Sequence, residues 1–293
     1  MTQARVLVTG AGGYVGRHVV TALAGRGVEV FAVVRPGSPV RFDSSVTVIE
    51  ADILAPAFDP TSLLECKPTV LIHLAWQDGF RHNSPSHIEL VSSHFRFLRL
   101  AAEAGVARIS VLGTMHEIGY WEGAIEADTP TAPVSLYGIA KDTLRKASFA
   151  QLSSITELQW LRCFYIYGDD RNNQSIFTRI LEAADAGTTS FPFTSGVNRF
   201  DFIEVDMLGR QIATVALEDG VTGIVNCCTG NPVSLGEKVE QFIASNQLDV
   251  TLEYGAFPDR PYDSPGVWGD ATDILRIMAA QESRDRVGAP PTS

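Results

Sequence analysis

The chain has 293 residues, of which 45% are hydrophobic and 19% are charged, and its formal net charge is -11 at pH 7. These proportions are typical of a globular protein and exclude a disordered or fibrous one. The acidic balance argues against general binding to nucleic acid or to an anionic membrane surface, because both depend on an excess of Lys and Arg. An anionic small substrate would therefore need a local cationic pocket.

The cysteines and the N-terminal segment bear on location and metal binding. Cys66, Cys163, Cys227 and Cys228 show no paired Cys-x-x-Cys spacing, so neither a zinc site nor a disulfide framework is predicted. A strand begins within a few residues of the N-terminus, which leaves no room for a secretory leader. No apolar run approaches the length of about 18 residues that spans a bilayer. We therefore expect a cytoplasmic protein without a bound metal.

Strand and helix patterns alternate along the first part of the chain. Arg5–Thr9 is a β-branched, apolar run that stops at glycine, as a buried parallel strand does. Tyr14–Ala24 carries apolar residues at helical spacing and Glu29–Val34 reads as a strand, so these three elements predict a βαβ unit. Further strands are predicted at Val46–Glu50, Thr69–His73, Arg108–Leu112 and Gln159–Tyr165, and further helices at Ile88–Ala104, Leu136–Leu152 and Ser175–Ala186.

This alternation predicts an α/β fold in which residues 1–170 form a Rossmann-like, doubly wound parallel sheet that binds a dinucleotide. Residues 171–280 contain shorter elements separated by Gly, Pro and Asn, and they predict a smaller C-terminal substrate-binding lobe with segments that return to the core. Residues 281–293 are polar and end in Gly, Ala and paired Pro, which predicts a disordered tail.

The turn after the first strand, Thr9-Gly10-Ala11-Gly12-Gly13-Tyr14-Val15-Gly16, predicts the dinucleotide site. Gly10 permits the sharp bend, Gly13 lets the backbone approach a pyrophosphate, and Gly16 lets the helix pack close to the strand. N–H groups at the start of the helix would face the phosphates. Glycines alone are weak evidence, but the preceding strand and the following helix strengthen the prediction.

The ends of the second and third strands bear on cofactor choice. NAD-binding folds usually have an acid at the end of the second strand, whereas this chain has Val34 and then Arg35, which can pair with a 2′-phosphate. NADP(H) is therefore favoured, and NAD(H) is the alternative if Arg35 is only a solvated loop residue. Asp52 either contacts the adenine amino group or caps the following turn.

A second motif, Tyr137-x-x-x-Lys141, predicts proton transfer. The two side chains lie one helical turn apart and face the same way. A neighbouring ammonium favours the phenolate, so we expect Lys141 to lower the pKa of Tyr137 from its usual value of about 10. Thr114 follows a strand and can hydrogen-bond a reacting carbonyl oxygen. The alternative is an accidental pair on a solvated face.

Together these motifs resemble those of the extended short-chain dehydrogenase/reductases, which include sugar-nucleotide epimerases, dehydratases and reductases. The resemblance covers nearly the whole chain. Besides TGxxGxxG and YxxxK, the matching stretches are His73-Leu74-Ala75-Trp76, Arg162–Gly168, Arg199–Asp206, Arg260–Asp263 and Trp268–Asp270.

The resemblance implies a role for each matching residue. It also implies a homodimer, in which the helices 88–104 and 136–152 would form the subunit interface. It makes Thr114, Tyr137 and Lys141 catalytic, places Ile166 beside the nicotinamide, and assigns the nucleotide diphosphate to two arginines. The predicted cofactor-binding residues are Gly10, Gly13, Tyr14, Val15, Gly16, Arg35, Asp52, Ile53, Leu74, Ala75, Tyr137, Lys141 and Ile166. The predicted substrate-binding residues are Thr114, His116, Asn173, Arg199 and Arg260.

The residues after Thr114 narrow the reaction. Dehydratases of this family resemble one another in having Asp-Glu there, whereas this chain has Met115-His116, which argues against 4,6-dehydration. His116 is a candidate catalytic residue because histidine titrates near neutrality. A histidine that only orients substrate or completes the loop is at least as good an interpretation. Enzymes that invert ring carbons also use a histidine beyond the Tyr-Gly segment, and residues 169–173 contain none.

Three functions are consistent with the sequence, and we give them in order of preference. The first is NADPH-dependent reduction of a nucleoside-diphosphate 4-keto-6-deoxyhexose, giving a sugar of the 6-deoxytalose or fucose type. The second is a nucleotide-sugar 4-epimerase with tightly bound NAD. The third is a non-catalytic dinucleotide sensor, which the Tyr137/Lys141 pair disfavours. The sequence leaves open the sugar, the nucleotide base and the stereochemistry at C4.

Overall fold

The computed structural model describes residues 3–56, 58–168, 170–259 and 264–288. Its main layer is a sheet made of β1 (Arg5–Thr9), β2 (Glu29–Val34), β3 (Val46–Glu50), β4 (Val70–His73), β5 (Arg108–Thr114), β7 (Glu157–Cys163) and β11 (Gly223–Cys227). Neighbouring strands pair in parallel in the order β11-β7-β5-β4-β1-β2-β3. The order runs outward in both directions from β1 and β4, as a doubly wound sheet requires.

Helices cover both faces of this sheet, among them α1 (Gly16–Ala24), α4 (Val91–Glu103), α5 (Leu136–Leu152) and α7 (Val205–Leu217). The other helices are α2 (Thr61–Leu64), α3 (Ser86–Glu89), α6 (Ile176–Asp185), α8 (Leu235–Ser245) and α9 (Thr272–Gly288), of which α6 and α8 pack against each other. On β1, Val6 and Val8 join a core with α1 and α7, whereas Leu7 joins a second core with α4 and α5. Burial on both faces explains why β1 is apolar at successive positions.

A second, smaller sheet lies beside the main one. It contains β6 (Gly123–Ile125), β8 (Tyr165–Tyr167), β10 (Arg199–Glu204), β12 (Pro232–Ser234) and β14 (Gly266–Gly269), and a separate pair joins β9 (Ser190–Pro192) to β13 (Thr251–Glu253). Elements from before and after residue 170 enter both sheets, since β6 and β8 lie in the small one and β11 in the large one. The α/β prediction with a smaller lobe is confirmed; a functional boundary at residue 170 stays a prediction.

The structure differs from the sequence-based elements at three places. The long helix expected over 88–104 is divided at Leu90, and the residues before that break form α3. The strand expected over 159–165 ends at Cys163, because the chain then leaves the large sheet and pairs Tyr165 with Phe202 of β10. Residues 281–288 continue α9, where a disordered tail was expected, and Arg284 forms an ion pair with Glu218. Residues 289–293 lie outside the described part.

The described residues contain neither a membrane-spanning helix nor a metal-binding cluster. None of the helices has both the length and the apolar character that crossing a membrane requires. In the same ranges, no group of three or more His, Cys, Asp or Glu side chains is arranged to hold a metal ion.

Candidate active site

The glycine-rich turn lies at the carboxyl end of β1, against the chain that leaves β4. Gly10 has a φ of +69°, and a Cβ on it would lie 2.6 Å from the backbone N of Ala75. A Cβ on Gly16 would lie 2.1 Å from the carbonyl oxygen of Gly10, so only glycine fits there. Val15 precedes α1 without a side-chain cap, which leaves first-turn N–H groups available to an anion. This cradle fits a dinucleotide pyrophosphate.

The predicted adenosine contacts surround the ends of β2 and β3. Val34 is buried, whereas Arg35 is exposed and its guanidinium makes no hydrogen bond or ion pair with any residue that the structure describes. Asp52 accepts a hydrogen bond from the backbone N of Leu54 at 3.2 Å, which is the turn-capping alternative. Its contact with adenine stays a prediction, as does that of the buried Ile53.

Tyr14 has a structural contact that the sequence did not predict. Its hydroxyl donates to the carbonyl oxygen of Gly168 at 2.7 Å, so the turn after β1 is tied to the end of β8. The ring of Phe80 lies 6.1 Å from that of Tyr14, centroid to centroid. The loop after β4 therefore contacts the glycine-rich turn, and Leu74 and Ala75 lie at the start of that loop.

The fold brings Thr114, Tyr137 and Lys141 together at the same edge of the sheet. Thr114 is the last residue of β5, and Tyr137 is in the first turn of α5, which Ser135 caps by accepting the N–H of Gly138 at 3.1 Å. The Thr114 hydroxyl lies close enough to the Tyr137 phenol to lower the pKa of the phenol. The Lys141 ammonium is buried and donates to the carbonyl oxygen of Leu112 at 2.6 Å.

The electrostatics of this group differ from the sequence-based expectation. Burial raises the pKa of Tyr137 above its usual value, and the Thr114 hydroxyl offsets only part of the rise. The expected lowering by Lys141 is not seen, since its ammonium lies 6.0 Å from the phenol ring centroid. Burial also lowers the pKa of Lys141 to about 8. The phenol is therefore protonated near neutral pH and can donate a proton.

Three imidazole rings surround Tyr137. The His82 ring stacks on the phenol at 5.3 Å between centroids, and its backbone oxygen accepts the N–H of Tyr137 at 2.8 Å. His87 and His116 lie 5.2 and 6.0 Å from the phenol ring. The sequence pointed only to His116; His82 and His87 are on the loop and short helix after β4, where no motif marked them.

His116 is a neutral imidazole in this environment. Burial, followed by the nearby His82 ring, lowers the pKa of His116 to about 3. The two ring centroids lie 4.4 Å apart. The backbone N–H of His116 donates to the Thr114 hydroxyl oxygen at 3.3 Å, so the two residues are held side by side. A neutral imidazole can accept or donate a hydrogen bond, which fits an orienting role as well as proton transfer.

Glu117 is a further site residue that sequence reasoning missed. Its carboxylate is fully buried and accepts the backbone N–H of Thr114 at 2.7 Å and the indole N–H of Trp160 at 2.9 Å. The guanidinium Nε atoms of Arg145 and Arg162 lie 3.5 and 3.9 Å from an oxygen of the same carboxylate. Burial raises the pKa of Glu117, and Arg162 opposes that rise. The spacing Thr-x-x-Glu is a capping-box signature and could have revealed this residue.

The predicted substrate residues lie around the smaller sheet. Ile166 is half-buried on β8, and Arg199 is exposed on β10 with a hydrogen bond to the carbonyl oxygen of Pro232 at 2.6 Å. Asn173 is buried, donates to Asp170 at 3.0 Å and accepts from the backbone N of Ser175 at 2.8 Å, so its amide braces the loop before α6. Substrate contacts of these residues stay predictions.

Arg260 lies outside the described residues, as do the other residues of the 260–263 stretch. The second arginine that the resemblance assigned to the nucleotide diphosphate therefore stays a sequence-based expectation. Of these two arginines, Arg199 is the one that lies within the described residues.

The comparisons with known proteins identify the family. The model of the NAD dependent epimerase/dehydratase family matches residues 6–228. A dTDP-6-deoxy-L-talose 4-dehydrogenase (NAD(+)) from Aggregatibacter actinomycetemcomitans is 45% identical over 267 residues, which cover 90% of this chain and 98% of the relative. A UDP-glucose 4-epimerase from Azospirillum brasilense is 25% identical, with 97% of this chain and 88% of that protein covered.

Solved structures with the same fold include complexes with NAD. MoeE5 in complex with UDP-glucuronic acid and NAD has a TM-score of 0.79 and 25% identity, covering 94% of this chain and 93% of that one. The UDP-glucose 4-epimerase of Thermus thermophilus, in complex with NAD, has a TM-score of 0.78 and 21% identity over 94% of this chain and 93% of that one, which is a likeness of fold.

Proposed function

Because this chain belongs to the NAD dependent epimerase/dehydratase family, we propose that it reduces a nucleoside-diphosphate 4-keto-6-deoxyhexose at C4. The product is a sugar of the 6-deoxytalose type on a dTDP carrier. The relative with 45% identity is named for oxidation of dTDP-6-deoxy-L-talose at C4, which is the same bond change in the opposite direction. That identity, together with the meeting of Thr114, Tyr137 and Lys141 at one edge of the sheet, supports the proposal.

The roles of the side chains follow from their protonation states. When bound, a reduced nicotinamide cofactor would supply the hydride that C4 receives. Tyr137 is protonated near neutral pH and gives its hydroxyl proton to the C4 oxygen, so the carbonyl becomes a secondary alcohol. Thr114 donates a hydrogen bond to the same oxygen, and the Lys141 ammonium provides positive charge while the phenolate forms. In the oxidative direction the same groups act in reverse.

The cofactor would lie along the turn after β1, with its pyrophosphate at the start of α1 and its adenosine beside Arg35. The exposed guanidinium of Arg35, which has no partner among the residues that the structure describes, supports NADP(H), since it is available to a 2′-phosphate. The name of the 45% identical relative specifies NAD(+), which supports NAD(H). We propose that Arg35 allows this chain to use NADP(H), and a comparison of kcat/KM for the two cofactors tests the point.

The deciding experiment offers purified protein a panel of nucleotide 4-keto-6-deoxyhexoses with NADH or NADPH. We expect oxidation of the cofactor, followed at its nicotinamide absorbance, with at least one dTDP-linked sugar. We also expect reduction of NAD(P)+ with the corresponding dTDP-6-deoxyhexose. Absence of turnover in both directions with every member of the panel contradicts the proposal.

A 4-epimerase is the second candidate, because a UDP-glucose 4-epimerase matches 97% of this chain. An epimerase regenerates its cofactor in each turnover, so NAD would remain bound to the protein through purification. The product would then form without added cofactor. Mass spectrometry of the denatured protein and an assay without added NAD(P) distinguish this case from the reductase.

We further propose that the protein is a cytoplasmic homodimer. Ile88 at α3 and Ile139 on α5 are 45% and 37% exposed, which supports an interface along this helical face. Light scattering on the purified protein gives the molar mass directly. A mass near 31.7 kDa would contradict the dimer.

A further inference from the structure

The stretch His73-Leu74-Ala75-Trp76 has a feature that the proposed reaction does not use. Trp76 follows the carboxyl end of β4, and the Lys141 ammonium lies over its indole ring, 3.9 Å from the ring centroid. This is a cation–π distance. The one hydrogen bond that the ammonium makes within the described residues goes to Leu112, so the indole face is its other close partner.

The indole is held from two directions. Its N–H donates to Nδ1 of His87 at 3.0 Å, and Nε2 of His87 bonds the carbonyl oxygen of Arg81 at 3.0 Å. An indole N–H only donates and a carbonyl oxygen only accepts, so His87 must be the neutral Nε2–H tautomer. The indole also stacks on His94, with 4.4 Å between centroids and 13° between planes.

His94 is fixed in turn. Its Nδ1 shares a hydrogen bond with Nε2 of His73 at 2.9 Å, and Nδ1 of His73 bonds the Thr9 hydroxyl at 2.8 Å. Both imidazoles are buried. A continuous chain of contacts therefore runs from the end of β1 through two histidines to the indole, and from there to the ammonium.

We propose that Trp76 is a positioning residue for Lys141: its indole face holds the buried ammonium in place and favours its protonated form. This rests on the catalytic role given to Lys141 under the proposed function. Burial lowers the pKa of Lys141, and attraction to the indole opposes that loss of charge. The titratable groups that face the ammonium are Tyr137, Glu117, Cys163, His73 and His94.

The first test needs no substrate. The chain has four lysines, Lys67, Lys141, Lys146 and Lys238. Labelling lysine at Cε and Nζ gives few NMR signals, and the variant Lys141→Met assigns the relevant one. We expect an upfield ring-current shift of the Lys141 ε-protons in the wild-type protein. Absence of that shift overturns the proposal, whatever the variants do.

The second test measures the Lys141 pKa in variants of Trp76. We expect Trp76→Leu to lower it by about 0.5 to 1 unit and Trp76→Phe, which keeps an aromatic face, to give an intermediate value. Trp121→Leu, whose indole bonds Ala124 instead, should leave it unchanged. Equal pKa values in Trp76→Leu and the wild type overturn the proposal.

Kinetics link this result to the reaction. In Trp76→Leu the alkaline limb of the kcat profile should move to lower pH by the same amount, while KM for the sugar changes little. A purely structural role would lower kcat equally at all pH values, and that outcome overturns the proposal. If no substrate is turned over by the wild-type protein, the proposed function fails, but the NMR result still decides the contact between Trp76 and Lys141.

Discussion

The carboxylate of Glu117 accepts the backbone N–H of Thr114, with 2.7 Å between the atoms, so a fully buried charge fixes the residue proposed to hold the substrate oxygen. The same carboxylate accepts the indole N–H of Trp160 and faces two guanidinium groups. Burial of such a charge is unfavourable unless its partners are in place. Stability and catalysis should therefore both depend on Glu117.

Replacing Glu117 by Gln tests this dependence. An amide keeps an oxygen acceptor but removes the negative charge that faces Arg145 and Arg162. We expect the free energy of unfolding to fall by about 3 kcal/mol, and kcat to fall more than KM changes. Urea denaturation and steady-state kinetics measure the two effects. Glu122→Gln, at an exposed acid nearby, should change neither. Wild-type stability in Glu117→Gln would contradict this account.

Tyr137→Phe removes the proton donor and leaves the ring in place. We expect kcat to fall by about 100- to 10,000-fold, the usual contribution of a general acid. The cofactor dissociation constant should stay within about threefold, since the glycine-rich turn proposed to hold the cofactor is unchanged. Tyr120→Phe is the matched control, because Tyr120 is 55% exposed. A Tyr137→Phe variant with normal turnover would eliminate the proposed chemistry.

The buried pair His73 and His94 predicts loss of stability in mild acid. Burial lowers the pKa of His73 to about 3 and that of His94 well below its usual value. In the unfolded chain both histidines titrate at about pH 6.5. Below that pH the unfolded state binds more protons than the folded state, so the free energy of unfolding falls as the pH falls towards 3.

Each buried histidine contributes a slope of at most about 1.4 kcal/mol per pH unit. Urea denaturation at several pH values between 7 and 5 measures the slope, in a range above the usual carboxylate titration. His94→Gln should reduce it by about 1 kcal/mol per unit. A free energy of unfolding that does not change over this range would show that the folded protein takes up as many protons as the unfolded chain, so that the pKa values of the two imidazoles are not lowered.

Arg35→Ala tests the cofactor proposal. Loss of the guanidinium should raise KM for NADPH by about tenfold or more, since a charge-assisted bond to phosphate is worth about 1.5 to 3 kcal/mol. KM for NADH should not change. Arg41→Ala, an exposed arginine in the same loop, is the control. If Arg35→Ala changes KM for NADPH and KM for NADH equally, Arg35 is only a solvated loop residue and does not select the cofactor.

The sequence predicted the fold well where burial imposes a continuous apolar pattern. Glu29–Val34, which is buried from Val30 to Val34, is a strand with the predicted bounds. Val46–Glu50 also has the predicted bounds although it is a largely exposed edge strand, because its β-branched residues favour extended backbone. The strand ending at Cys163 was less predictable, since nothing local marks the point where the chain changes sheets. The last turns of α9 include Arg284, which pairs with Glu218, a residue distant in sequence that a local pattern does not reveal.

In the candidate site, sequence spacing predicted the residues that lie together on one helix. The residues contributed by other elements depend on tertiary contacts. Tyr137 and Lys141 share one helix, so their motif was visible. The raised pKa of Tyr137 results from burial, which a motif does not encode. His82 and Trp76 reach the site from the loop after β4, and their contacts with α5 required the assembled sheet.

Thr9 and His73 share a hydrogen bond although 64 positions separate them. Their strands become neighbours only after a long loop has closed, which makes such pairings slow to form. The turn after β1 packs against Ala75 only when β1 and β4 are paired, so unfolded molecules lack the finished turn. A dinucleotide that recognises the finished turn would select mature molecules and shift the folding equilibrium towards them by mass action.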